Sequence, residues 1–153
     1  PPFEFKQLIN EDWETSSFRA RLETNRFFFV VFREDHEGEW RLDRCLFWAM
    51  PANEIEGPAK ACWDETRKVI REGVKLSPYR DASGKLKVTN NLPGMDNPIV
   101  HVRPHTSKAA YRFADGTEIG DIARNAYELP DGRWMTRQSF WFNKGYLEHI
   151  LGL

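Results

Sequence analysis

Between Arg26 and Arg33 the chain reads Phe27-Phe28-Phe29-Val30-Val31-Phe32, six apolar residues bounded by charge. An uninterrupted run of this kind predicts a strand buried on both faces, and hence central in a sheet. It is far too short to cross a bilayer. An acidic connection with Gly38 follows, and Trp40 to Met50 then alternates before turning solidly apolar, so a hairpin is the economical arrangement. Pro51 ends it.

The flanking segments read mostly as helix. Phe3 to Asn10 suits a short helix or turn packed through Phe3, Phe5, Leu8 and Ile9. Trp13, Phe18 and Leu22 are helix-spaced, with Thr15 or Ser16 able to cap the start and Arg19 and Arg21 projecting. From Ala52 to Arg71, Ile55, Ala59, Cys62, Trp63, Thr66 and Ile70 recur at helical spacing. That predicts one long amphipathic helix closed by Gly73, with Gly57-Pro58 as an alternative start. Ser77 to Pro98 reads as a long loop with a short ribbon at Lys85 to Thr89. Asp115-Gly116 and Leu129-Pro130-Asp131-Gly132 are turns, and Ile119 to Ala126 is ambiguous between helix and strand. Trp134 to Phe142 is a strand, and Asn143 caps a closing helix, Lys144 to Leu151, whose Tyr146, Leu147, Ile150 and Leu151 face the core. The 153 residues predict one α/β domain. The Pro1-Pro2 start resembles neither a signal peptide nor an initiator, so a fragment of a larger protein is expected. Cys45 and Cys62 lie in apolar surroundings and lack metal spacing, which predicts two buried free thiols in a reducing compartment.

One stretch stands apart. Pro98-Ile99-Val100-His101-Val102-Arg103-Pro104-His105-Thr106-Ser107-Lys108 begins as a β-branched strand and hands over at Pro104 to a polar loop. Pro104 has no N–H to extend a ladder and biases Arg103 toward extended geometry, so the guanidinium is aimed. A fork of donors at a strand end matches a guanine edge or a phosphate, although such arginines also pair with carboxylates or reach water. Charge distribution supports the first use. The chain carries −1 overall, yet Lys75 to Arg112 holds seven basic residues against two acids. That is the footprint of a localised anion-binding face. The four histidines show no metal spacing, and no glycine-rich phosphate loop or nucleophile elbow is present. The tryptophans sit in apolar runs, so Trp48 and Trp141 are assigned to the core.

Three landmarks occur in one order: Trp13-Glu14-Thr15-Ser16 with Arg19 and Arg21 before an apolar strand; His101-Val102-Arg103-Pro104 before a polar loop; and Thr136-Arg137-Gln138-Ser139-Phe140-Trp141-Phe142-Asn143 before a helix. Together they resemble the MutH family, which joins the mismatch-repair nicking endonuclease to the GATC-cutting type II restriction endonucleases. The restriction-enzyme branch looks closer. The resemblance covers the whole chain and the C-terminal two-thirds of the family domain. It implies a bacterial, cytoplasmic protein with a restriction-endonuclease-like mixed sheet flanked by helices, lacking the N-terminal catalytic segment. Residues 1–153 would then be a single DNA-recognition domain. Its partners would be double-stranded DNA and a catalytic segment or module of the same parent protein, with no membrane. By the same resemblance Arg103, Pro104, His105, Lys108, Thr136, Arg137, Gln138 and Arg21 are the DNA-binding residues. His105 stands where the family has lysine, and Thr136 where the nicking enzyme has a methylation-sensing tyrosine. The intact enzyme is expected to use Mg²⁺ through an Asp…(Asp/Glu)-x-Lys set. The only E-x-K here is Glu4-Phe5-Lys6, with no aspartate before it, so no catalytic residue and no metal ligand is assigned to this chain. An alternative is a non-catalytic effector domain that binds a second DNA copy or a protein partner.

Overall fold

The computed structural model describes residues 1–153. In chain order it contains β1 (Pro2–Phe3), α1 (Phe5–Leu8), a 3₁₀ turn at Trp13–Thr15, α2 (Ser17–Thr24), β2 (Phe27–Glu34), β3 (Trp40–Trp48) and α3 (Ala52–Glu54). A π-helical turn at Ile55–Ala59 joins α3 to α4 (Lys60–Glu72). Then come β4 (Ser77–Arg80), β5 (Leu86–Thr89), β6 (Val100–Pro104), β7 (Tyr111–Arg112), β8 (Glu118–Ile119), α5 (Ile122–Asn125), β9 (Ala126–Glu128), β10 (Trp134–Thr136), β11 (Gln138–Phe142) and α6 (Lys144–Leu151).

The helices follow the apolar spacing. Ser16 caps α2, its hydroxyl accepting from the Arg19 amide, while Phe18 and Leu22 turn inward. Cys62, Trp63, Thr66, Val69 and Ile70 form the buried face of α4. Pro58 does not break the path from Ala52 to Glu72. Its missing N–H and its ring, which would crowd the carbonyl four residues back, are taken up by the widened π turn. Asn143 stands at the N-cap of α6 but its side chain does not cap. The side-chain oxygen meets His101 Nδ1 at 2.6 Å and its amide nitrogen donates to the Asn97 carbonyl, so a buried polar network takes the place of the cap.

Every strand pairing is antiparallel, and the strands form four small sheets, not one mixed sheet: β1-β11-β6, β8-β7-β10-β9, β2-β3 and β4-β5. The stretch Trp134 to Phe142, which reads as one strand, changes sheets at Arg137. Four hairpins share one five-residue turn, Asp35–Glu39, Asp81–Lys85, Phe113–Thr117 and Leu129–Arg133. In each, the first amide donates to the fifth carbonyl and a positive-φ glycine in fourth place donates back to the first. This is the three-residue loop with a glycine bulge, which needs a residue without Cβ at its left-handed position.

Two expectations about the apolar run fail. β2 pairs only with β3, and its residues alternate, with Phe27, Phe29 and Val31 facing inward and Phe28, Val30 and Phe32 outward. The strand therefore lies at no sheet's centre and has one buried face. Cys45 pairs with Val30 on the outer face and is exposed, whereas Cys62 is buried in α4. The principal core gathers Phe5, Trp13, Phe18, Trp63, Ile70, Val100, Val102, Met135 and Phe140, with Phe18 stacked on Phe140 at 4.2 Å. Each such side chain contributes about 1.5–3 kcal/mol on burial. That core holds β6 and β11 side by side and thereby fixes the place of the loop between β6 and β7.

Candidate nucleic-acid interface

Residues 105–109 leave the end of β6, and both ends of that loop are tied to the point where β10 passes into β11. The His105 amide donates to the Arg137 carbonyl at 2.8 Å. At the other end the Thr136 hydroxyl accepts from the Ala110 amide at 3.0 Å and donates to the Ala110 carbonyl at 3.1 Å. Within the loop the Thr106 hydroxyl donates to the Lys108 carbonyl at 2.6 Å. Gly120 closes the approach from behind. A Cβ placed there would meet the Ala109 carbonyl oxygen at 2.1 Å, so only glycine lets the two backbones lie this close.

The side chains at the loop are cationic. Arg103 pairs in register with Ser139 and is exposed, its guanidinium carbon 4.2 Å from the centre of the Trp141 ring. Trp141, assigned to the core on sequence, is 37% exposed because it follows Phe140 on the opposite face of β11. Its ring is the surface against which the guanidinium rests. The His105 ring lies 6.4 Å from the same indole. Arg137 stacks over Tyr127 at 4.5 Å and donates to the Ala123 carbonyl at 3.5 Å. No carboxylate lies within 4.0 Å of the charged nitrogens of Arg21, Lys85, Lys87, Arg103, Lys108, Arg124 or Arg137. Elsewhere the cations are mostly paired, as in Arg19–Glu56, Arg41–Asp35 and Arg133–Asp131.

Two concavities meet at the loop. One, of about 520 Å³, lies between β5 and the loop, lined by Lys85, Lys87, Pro104, Thr106 and Lys108 over a floor that includes Tyr111 and Ile119. The second, of about 320 Å³, is wholly polar and adds Asp121, Arg124 and Asn125 to Thr106, Ser107 and Lys108. Arg21 is further off, sharing a smaller pocket with Phe140 and Trp141 and so standing beyond the Arg103 stack. Arg103, Pro104, His105, Lys108 and Arg21 are exposed, whereas Arg137 is half-buried against Tyr127 with its Nε lacking a partner.

Gln138 is not exposed, and Thr136 reaches only the floor of the larger concavity. Each is 1% exposed; the Thr136 hydroxyl is used by Ala110, and the Gln138 amide donates to the Thr136 carbonyl at 2.9 Å. The polar first half of that strand faces inward to position the loop, so these two residues shape the interface from behind it. Lys85, Lys87 and Arg124 line these concavities without having been expected there; the first two fall in the short ribbon read at Lys85 to Thr89, inside the basic run from Lys75 to Arg112. His101 is 7% exposed and faces Asn143, a structural histidine.

The carboxylates do not fit a divalent cation. No three acidic, histidine or cysteine side chains converge anywhere in the chain, and of Glu4 at the N-cap of α1 and Lys6 within it, Lys6 is paired to Glu128. Several carboxylates are pinned in structural bonds instead. Hydrogen bonds from Arg19 and Trp13 hold Glu56 below the usual range, and the Arg133 side chain does the same for Asp131.

No helix is long and apolar enough to cross a membrane. No protein-family model matches the chain. It is 37% identical over 160 residues, taking in 95% of its length, to the type II restriction enzyme Sau3AI of Staphylococcus aureus, and it spans about a third (33%) of that relative. Over nearly its whole length the chain is thus homologous to a type II restriction enzyme, in agreement with the restriction-enzyme branch to which its motifs point.

Proposed function

We propose that this chain is the DNA-reading part of a MutH-like, restriction-endonuclease-like type II enzyme and binds a GATC-like site in duplex DNA through the loop after β6. The carrying observation is Arg103: exposed, free of any carboxylate partner, held against Trp141 and placed at the head of a loop whose Lys108 is likewise unpaired. A stacked guanidinium presents two parallel donors to guanine O6 and N7, the contact that discriminates bases, while Lys108, Arg137 and Arg21 are placed for phosphates. His105 stands next to that fork and offers one further base-edge contact. The intact protein is expected to cut with Mg²⁺ bound by acids outside this chain. The absence of converging carboxylates also favours a second reading, an effector domain that binds DNA and activates a separate catalytic module.

Titration of the chain with GATC and scrambled duplexes at two salt concentrations tests the reading. The expected result is a preference for GATC that Arg103→Ala flattens by roughly 5- to 150-fold, the range of about 1–3 kcal/mol for one bidentate base contact. Equal affinity of the native chain for both duplexes, or a preference untouched by Arg103→Ala, overturns it. Supplying the full-length protein with an Arg103→Ala change separates the two readings. A recognition part loses cleavage on single-site and two-site DNA alike, whereas an effector loses only the stimulation by a second site.

A further inference from the structure

The ribbon β4–β5 faces the same cleft as the loop 104–109. β5 forms one wall of the 520 Å³ concavity and the loop 104–109 forms the other, so Lys85 and Lys87 stand across from Lys108. All three lysines are exposed and without a carboxylate partner. Asp81, the nearest acid in sequence, is committed to its turn, where one carboxylate oxygen accepts from the Ser83 amide and hydroxyl and the Lys85 amide. Arg80 folds back onto the Gly84 carbonyl at 2.9 Å and is likewise occupied.

The ribbon is held at its base and free at its tip. The Lys75 amide donates to Asn91 Oδ1 at 2.8 Å across the two ends, Val88 packs against the core, and the Pro93 carbonyl accepts from the Val102 amide at 2.9 Å. Lys85, which closes the Asp81–Lys85 turn, and Lys87 in β5 both line the concavity, and two extended residues span about 7 Å, a spacing comparable to that of neighbouring phosphates along one nucleic-acid strand. An ammonium on a four-carbon stem is a mobile point charge, suited to phosphate and unable to read a base edge in the forked manner of arginine.

We propose that β4–β5 is a second DNA-binding arm, whose Lys85 and Lys87 grip the phosphodiester backbone across the cleft from Lys108. This rests on the DNA-binding reading and assigns a new element to it. The arm adds affinity that is blind to sequence and sensitive to salt, while the Arg103 loop supplies preference.

The test is Lys85→Ala with Lys87→Ala, titrated against GATC and scrambled duplexes over a salt series. Neutralising two phosphate contacts should lower the slope of log affinity against log salt by about 2, weaken both duplexes by the same factor and leave their ratio unchanged. Lys85→Arg with Lys87→Arg should restore the slope. The control Lys68→Ala with Lys144→Ala removes the same charge from α4 and α6 and should leave the slope unchanged. An unaltered slope in the arm variant, a changed ratio between duplexes, or an equal loss in the control overturns the proposal. Failure of the native chain to bind either duplex would instead overturn the DNA-binding reading on which it stands.

Discussion

Two cysteines show how far residue type alone carries. Both lie in apolar sequence, yet Cys45 is exposed on the outer face of β3 while burial pushes the Cys62 thiol up to about 12. Near pH 8 only about one Cys62 in 10⁴ is then thiolate, and its access is closed as well. In the folded chain a maleimide or iodoacetamide should therefore modify Cys45 and leave Cys62 untouched until denaturant is added, as peptide mass mapping would show; equal labelling of both would contradict the packing of α4. Trp141 makes the same point. Its neighbours in sequence are apolar, and only the pairing of β11 with β6 shows that its ring lies on the solvent face beneath Arg103.

At the scale of elements, the loop 105–109 is defined by what anchors it. Gly120→Ala drives a methyl into the Ala109 carbonyl at a positive-φ position, and Thr136→Val removes both bonds to Ala110. Each should lower stability by about 1–3 kcal/mol in a denaturant titration, with the loop's amides exchanging hydrogen faster. Loss confined to DNA binding, at unchanged stability, would mean the anchors are not structural. The β2–β3 ribbon behaves differently. Phe28 and Phe32 are each 54% exposed, Leu42 59%, Trp40 67% and Phe47 78%, a contiguous apolar face with Phe28 and Phe47 4.6 Å apart. Little burial is lost on replacing them, so Phe28→Ser with Phe47→Ser should cost no more than about 1 kcal/mol while raising solubility and lowering binding of an apolar dye. A large drop in melting temperature would show that the face is covered in solution.

Across the whole molecule the titration behaviour follows from the turns. Asp35, Asp81, Asp115 and Asp131 each accept backbone or side-chain donors in one of the four equivalent turns and are held below their ordinary 3.8. A carboxyl lowered in the folded state stabilises fully above its unfolded value and loses that contribution as pH falls through the folded value. The melting temperature should thus be level between pH 7 and about 5 and decline below about 4. A decline that begins near pH 6 would contradict this assignment to the turn carboxylates.

The helices were legible because their apolar residues repeat at 3.6-residue spacing, and the turns at Gly116 and Gly132 because a left-handed backbone position demands glycine. Of the β4–β5 hairpin the second strand was legible as the short ribbon at Lys85 to Thr89, while Pro78 hid the first. The aim of Arg103 was readable from Pro104, since those constraints act between neighbours. What tertiary structure alone decided is which face of each strand meets water: the outward turn of Phe28 and Trp141, the burial of Thr136 and Gln138, and the approach of Lys85 and Lys87 to Lys108. These depend on pairings between residues tens of positions apart, whose free energy comes from surfaces that exist only once the core has assembled.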